Sequence, residues 1–85
     1  MYYVYVLISE KDGKLYTGST DDLKRRINEH SSGYSKSTMN RRPVKLIYYE
    51  ACLEESDARR RERYLKSGMG KKYIRNRLQD YFVNL

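Results

Sequence analysis

An aspartate–glycine pair near the start of the chain constrains its fold more than any other local feature. Asp12 and Gly13 separate residues 1–9, which are rich in Tyr, Val and Ile, from a second β-prone stretch at residues 14–18. An Asp-Gly pair between two such stretches is a strong signal for a tight turn that joins antiparallel strands. The sequence therefore predicts an N-terminal β-hairpin.

A helix is predicted directly after the hairpin, ending at about Ser31. Leu23 and Ile27 are four residues apart and mark its inner face, and Gly33 is a typical helix end. Ser19 or Thr20 can cap its N-terminus. The carboxylates of Asp21 and Asp22 would interact favourably with the helix dipole in the first turn.

The second half of the chain adds one strand and two helices. A polar, basic loop at residues 33–43 precedes a third predicted strand at residues 44–51. Helices are predicted over about residues 54–66 and 71–81, separated by the helix-breaking pair at Ser67-Gly68. The order ββαβαα predicts the α+β class, with a three-stranded, mostly antiparallel sheet flanked by helices.

Size and charge limit the function. A chain of 85 residues predicts one domain, residues 1–85, with a thin core. The net charge of +7 indicates a polyanionic partner. Cys52 is the only cysteine, which excludes an intrachain disulfide and favours a reducing compartment. Neither a membrane span nor a basic leader is evident, so we expect no membrane partner and a cytoplasmic location.

Two tyrosines of the hairpin are predicted to share a face. A two-residue turn and a four-residue loop give registers that differ by two residues. Because side chains alternate faces along a strand, Tyr5 and Tyr16 lie on the same face in both registers. In the second register Tyr5 lies opposite Gly18 and diagonal to Tyr16, and Gly18 leaves a notch beside the Tyr5 ring. A helix N-terminus that faces this notch could bind an anion. Taken alone, either tyrosine is better explained by packing than by chemistry.

Arg26 and His30 lie four residues apart, on one flank of the first helix. At the border of the inner face, the planar guanidinium of Arg26 could reach two phosphate oxygens. A solvated basic face, with His30 as an ordinary helix-end residue, explains the same spacing. Spacing alone therefore leaves both interpretations open.

The order of these residues resembles the GIY-YIG nuclease signature. Tyr3-Val4-Tyr5 and Tyr16-Thr17-Gly18 are similar to its two halves, although Tyr3, Val4 and Thr17 depart from the pattern. Arg26 and His30 follow Gly18 at the spacing of the family, and residues 58–66 resemble its glutamate-bearing helix, at Glu62. The resemblance covers nearly the whole chain. It is closest to small stand-alone members, which are related to the N-terminal nuclease domain of the excision-repair incision subunit.

This resemblance implies hydrolysis of phosphodiester bonds with one divalent metal ion. Glu62 would be the metal ligand, Arg26 the phosphate clamp, Tyr5 and Tyr16 the paired active-site tyrosines, and His30 a residue that only some members use. One carboxylate with retained waters suits Mg²⁺ or Mn²⁺ better than Zn²⁺. We favour Tyr5 as the group that activates water, which requires a cation to lower its pKa, and Tyr16 as the group that positions the phosphate.

Other residues are predicted to bind the substrate without reading its sequence. They are Gly18, Lys36, Arg41 and Arg42, with Arg59, Arg60, Arg61, Lys71 and Lys72 on the later helices. The predicted function is a structure-directed endonuclease of nucleic acid, with DNA favoured and a role in DNA repair. A non-catalytic nucleic-acid-binding module and, more weakly, a tyrosine-rich protein-interaction domain are the alternatives. The oligomeric state and the choice between DNA and RNA are left open.

Overall fold

The predicted hairpin is present in a computed structural model that describes residues 1–85. It consists of β1 (Tyr2–Ser9) and β2 (Leu15–Thr20). Gly13, in the connecting loop, has a φ of 73°, a left-handed conformation that favours glycine. Tyr5 pairs with Gly18, and Leu7 pairs with Tyr16. Of the two predicted registers, the one with a four-residue loop is therefore formed.

A third strand, β3 (Val44–Cys52), completes the sheet on the other side of β1. Both pairings are antiparallel and the strand order is β2-β1-β3, so the predicted α+β class and three-stranded sheet are confirmed. As the central strand, β1 carries an uninterrupted run of buried residues from Val4 to Ser9. β2 lies at an edge of the sheet, where residues on either of its faces can meet a different helix.

The helices follow the predicted order, with two corrections at their ends. Ser19 and Thr20 pair with β1 and extend β2, so Asp22 becomes the N-cap of the first helix and accepts a hydrogen bond from the Arg25 N–H at 3.1 Å. The last predicted helix begins earlier, at Gly68, and is divided at Leu78. The helices are α1 (Leu23–Ser32), α2 (Glu55–Lys66), α3 (Gly68–Arg77) and α4 (Gln79–Val83), with a short 3-10 helix at Met39–Arg41. None of them is both long and apolar enough to cross a membrane.

The two faces of the sheet have different interiors. On one face, α2, α3 and α4 cover an aliphatic core formed by Val4, Val6, Ala58, Leu65 and Ile74. On the other face, which α1 and the following loop cover, the buried side chains include Leu7 and a linked aromatic and polar set, Tyr5, His30 and Thr38. The aliphatic face stabilises the fold, while the polar face contains most of the residues singled out from the sequence.

Gly70 permits the close packing of α3 on the end of α2. A Cβ atom at this position would lie 2.0 Å from the Tyr64 carbonyl oxygen and 2.4 Å from the Leu65 Cα. Because both atoms belong to the backbone, no side-chain rotation can relieve the clash. We expect Gly70→Ala to lower the free energy of unfolding by about 1–3 kcal/mol, measured by urea denaturation.

Gly68→Ala is the matched control on the same helix. A Cβ atom at Gly68 has no neighbour within 4 Å, and alanine favours helix over glycine. This variant should be as stable as the parent chain or slightly more stable. Equal losses for both variants would contradict the packing role of Gly70.

Candidate active site

The Tyr5 side chain lies inside the protein, across the backbone of Gly18. It is 1% exposed, and a Cβ atom at Gly18 would come within 2.4 Å of its hydroxyl oxygen. Glycine is thus the residue that lets the phenol pass over β2. The space that the sequence suggested as an open notch is filled by the Tyr5 ring itself. Tyr16 lies on the same face as predicted, with 6.5 Å between the ring centroids.

His30 is the fully buried residue of α1 and connects this helix to the sheet. Its Nε2 lies 2.9 Å from the Tyr5 hydroxyl, and its Nδ1 lies 2.6 Å from the Thr38 Oγ1. The Tyr16 ring packs beside the imidazole, at 5.1 Å between centroids. Tyr5, His30 and Thr38 therefore form a continuous buried chain of hydrogen bonds. The sequence indicated the first two members, but not Thr38, which is one of several hydroxyl residues in its loop.

Burial shifts the pKa values of Tyr5 and His30, the two ionisable groups of these hydrogen bonds, in opposite directions. It raises the pKa of Tyr5 to about 12, although the Arg26 guanidinium beside the phenol lowers the pKa in part. Burial, together with the positive charge of Arg26, lowers the pKa of His30 to about 4. At neutral pH the phenol is protonated and the imidazole is uncharged. The lowered phenol pKa that a base requires is therefore not found at Tyr5.

Arg26 lies at the border between this buried chain and solvent, as predicted. Its guanidinium donates to the Glu29 carboxylate at 2.9 Å and to the Ser35 hydroxyl at 3.4 Å. Arg26 and Ser19 help to line a cleft of about 400 Å³ between α1 and α2, at the end of β2. We call it the β2 cleft. The guanidinium can therefore present its free N–H groups to an anion in this cleft.

Glu62 approaches β2 from the opposite face of the sheet. Its side chain is 20% exposed, Oε1 accepts from the Ser19 hydroxyl at 2.5 Å, and Oε2 lies 2.8 Å from the Lys66 Nζ. Burial opposes ionisation, but the hydrogen bonds from Lys66 and Ser19 outweigh it and lower the pKa of Glu62. The result is a fixed, ionised carboxylate, close enough for its charge to affect the pKa of Tyr5.

The donor atoms around Glu62 decide which metal ion the site could hold. They are oxygens, and no cluster of three or more His, Cys, Asp or Glu side chains able to hold a metal ion occurs in the chain. Such a set fits Mg²⁺ or Mn²⁺, which bind one carboxylate and keep most of their waters, and does not fit a protein-caged Zn²⁺. Binding at Oε2 would require Lys66 to move aside.

Of the remaining predicted substrate contacts, Arg59 lines the β2 cleft, whereas Lys36, Arg41, Arg42 and Lys71 do not. Arg41 lies 3.8 Å from Asp12 and lines a second cleft, of about 550 Å³, with Lys14, Lys71 and Arg75. We call it the hairpin-end cleft. Lys36 and Arg42 are exposed on the loop after α1. Tyr5, Tyr16, Gly18, Arg26 and His30 are brought together, with Glu62 at the same edge strand.

Arg61 does not have the free guanidinium that the sequence suggested. It donates to both carboxylate oxygens of Glu50, with two N–O distances of 2.9 Å, and packs over the rings of Tyr64 and Tyr73. Bidentate pairing and stacking commit this side chain to the α2 face of the sheet. Arg61 is therefore removed from the predicted contacts to a nucleic-acid backbone.

Paired tyrosines, an arginine on α1 and a glutamate on α2 around an edge strand define a class of protein. The profile of the GIY-YIG catalytic domain matches residues 1–79, and the chain belongs to the GIY-YIG family. Membership implies a metal-dependent nuclease that acts on nucleic acid.

Small proteins of the UPF0213 group are similar to this chain. It is 43% identical over 67 residues to one from Desulfotalea psychrophila, covering 76% of this chain and 60% of that protein. It is 46% identical over 67 residues to one from Clostridium perfringens, covering 78% and 71%. The solution NMR structure of a UPF0213 protein from Bacillus halodurans matches with a TM-score of 0.56 and 38% identity, over 92% of this chain and 86% of that one.

The pKa of His30 gives a stability test that needs no substrate. The pKa falls from 6.5 for the free group to about 4, so below pH 6.5 the unfolded chain binds more protons than the folded one. We expect the free energy of unfolding to decrease as the pH falls from 6.5 towards 4. Urea denaturation measures this slope.

His30→Gln is the control, since His30 is the only histidine. Above about pH 5, where most carboxylates remain ionised, its stability should vary less with pH than that of the parent chain. An NMR titration of His30 with a midpoint near 6.5 would contradict the lowered pKa.

Proposed function

We propose that this chain is an endonuclease that hydrolyses phosphodiester bonds of DNA, recognising the structure of the substrate rather than its sequence. The observation that carries the proposal is the arrangement around β2, where Arg26 and the Glu62–Ser19 pair approach one edge strand from its two faces. In this arrangement Arg26 would clamp the phosphate from the β2 cleft, and Glu62 would hold a metal ion on the other side of the strand, linked to the cleft through Ser19. The net charge of +7 supports a polyanionic substrate.

In this proposal Glu62 would hold the metal ion, Mg²⁺ or Mn²⁺. When bound there, the ion would supply Lewis acidity at the phosphate and at the leaving oxygen. Ser19 would orient the carboxylate, because its hydroxyl already donates to Oε1. Lys66 would neutralise Glu62 while the metal is absent and release Oε2 when it binds.

Arg26 would stabilise the negative charge that develops on the phosphoryl oxygens. Its guanidinium lines the β2 cleft, and Glu29 holds one of its nitrogens in place. A fixed donor of this kind stabilises the transition state without having to reorganise during the reaction. Glu29 and Ser35 would thus act by keeping the guanidinium aligned.

Exposure favours Tyr16 over Tyr5 as the tyrosine that meets the attacking water, which reverses the preference drawn from the sequence. Tyr5 is 1% exposed with a raised pKa, whereas Tyr16 is half-buried and reaches solvent. Tyr16 would orient the water through its hydroxyl. Tyr5, held by His30 beneath it, would keep the Tyr16 ring and Arg26 in position.

Two substitutions test the catalytic assignment. Arg26→Ala should lower the cleavage rate by about 10²–10³-fold, the effect of losing one fixed donor to a developing oxyanion. Glu62→Gln keeps the shape of the side chain but loses the charge that binds a metal, so cleavage should fall to background. The assay is nicking of flap, nicked, junction and single-stranded DNA with Mg²⁺ or Mn²⁺, each repeated with EDTA.

Lys24→Ala and Glu54→Gln are the matched controls, because they remove the same charges from exposed positions of α1 and of the residue before α2. Both should cleave as the parent chain does. Cleavage that survives Arg26→Ala and Glu62→Gln together would overturn the assignment. Salt-sensitive binding that ignores metal, with no substrate cut, would instead identify a non-catalytic nucleic-acid-binding module.

The hairpin-end cleft is a proposed contact to the substrate backbone. Lys14→Ala combined with Lys71→Ala removes two of its charges, whereas Lys24→Ala with Arg77→Ala removes two exposed charges outside it. We expect only the first pair to weaken duplex binding, and to reduce the slope of log affinity against log salt by up to about 2. Equal effects of both pairs would show that only net charge matters. Fluorescence anisotropy over a salt series measures the slope.

A further inference from the structure

Thr38 is a buried polar residue to which the proposed mechanism assigns no role. It lies between α1 and the 3-10 helix and is 0% exposed, and its Oγ1 is 2.6 Å from the Nδ1 of His30. The other ring nitrogen, Nε2, faces the Tyr5 hydroxyl at 2.9 Å. A neutral imidazole has one N–H and one bare nitrogen, so these two partners decide where its proton resides.

The charge next to Tyr5 gives this chain of hydrogen bonds a direction. The Nε2 of His30 is the hydrogen-bond partner of the Tyr5 hydroxyl, and the nearby Arg26 guanidinium carries donors only, so it cannot accept the phenol hydrogen. The acceptor within reach of the phenol hydrogen is therefore Nε2. With Nε2 as the acceptor, the imidazole proton is on Nδ1 and points at the Thr38 oxygen.

We propose that Thr38 is a positioning residue that accepts from the Nδ1–H of His30 and thereby keeps Nε2 free to accept the hydrogen of Tyr5. The proposal rests on the proposed function, since its consequence is the alignment of Arg26. In this tautomer the phenol presents lone pairs to the guanidinium. In the other tautomer, Nε2–H would donate to Tyr5, and the phenol hydrogen would turn towards the cation.

The single histidine allows the tautomer to be measured directly. In protein labelled with ¹⁵N-histidine, every ring-nitrogen signal belongs to His30. At neutral pH we expect the signal of a protonated nitrogen at Nδ1 and that of a bare nitrogen at Nε2. A parent chain in the Nε2–H tautomer would overturn the proposal without the need for any variant.

Thr38→Val removes the hydroxyl and keeps the shape of the side chain, whereas Thr38→Ser keeps the hydroxyl. The Val variant should lose the pure Nδ1–H spectrum and show an increased Nε2–H population. The Ser variant should restore the parent spectrum. An unchanged tautomer in a folded Thr38→Val protein would show that Thr38 only fills space, and would overturn the proposal.

Cleavage kinetics provide the second readout. Misalignment of Arg26 should lower kcat of Thr38→Val by about tenfold, comparable to the loss of outer-shell hydrogen bonds at metal sites, with KM nearly unchanged and with rescue by Thr38→Ser. A fall in kcat without a change of tautomer would contradict the proposal. If no form of the chain cuts nucleic acid, the proposed function fails, while the ¹⁵N spectra still decide the tautomer.

Discussion

The hydrogen bond between Tyr5 and His30 joins the central strand to α1, and the rest of the site depends on it. The main aliphatic core lies on the other face of the sheet, and on this face a buried polar and aromatic contact adds to the apolar contacts of α1 with the sheet. A hydrogen bond is directional, so it helps to fix the rotation of the helix about its axis. Arg26, one turn before His30, is thereby directed towards β2.

The charged groups of the site, Arg26 and Glu62, form its rim, whereas the buried side chains of Tyr5 and His30 form its floor. Burial keeps the phenol of Tyr5 protonated and the imidazole of His30 neutral, so the floor has no net charge at neutral pH. The charged groups, Arg26 and Glu62, flank this floor and remain ionised because hydrogen bonds support their charged forms. An ionised floor would add a charge competing with the phosphate or the metal. The neutral pair positions the rim without that competition.

Regular spacing made much of the fold and site predictable. Strand parity placed Tyr5 and Tyr16 on one face, and the four-residue spacing of Arg26 and His30 placed both on one flank of α1. Features that depend on long-range packing were missed, because the local pattern does not contain them. Thr38 is indistinguishable by sequence from its hydroxyl neighbours. In the sequence Gly70 is only a poor helix residue, because its packing role depends on the backbone of α2 that lies against it.

The hairpin loop decides whether the site can form at all. Ser9 and Lys14 are hydrogen-bonded across a four-residue loop, from the Ser9 N–H to the Lys14 carbonyl oxygen at 2.9 Å. A two-residue turn would shift the register by two and leave every side chain on its face. It would, however, place Thr20 instead of Gly18 opposite Tyr5, and only glycine lets the phenol cross β2 to reach His30. Loop length, rather than strand propensity, therefore sets the geometry of the site.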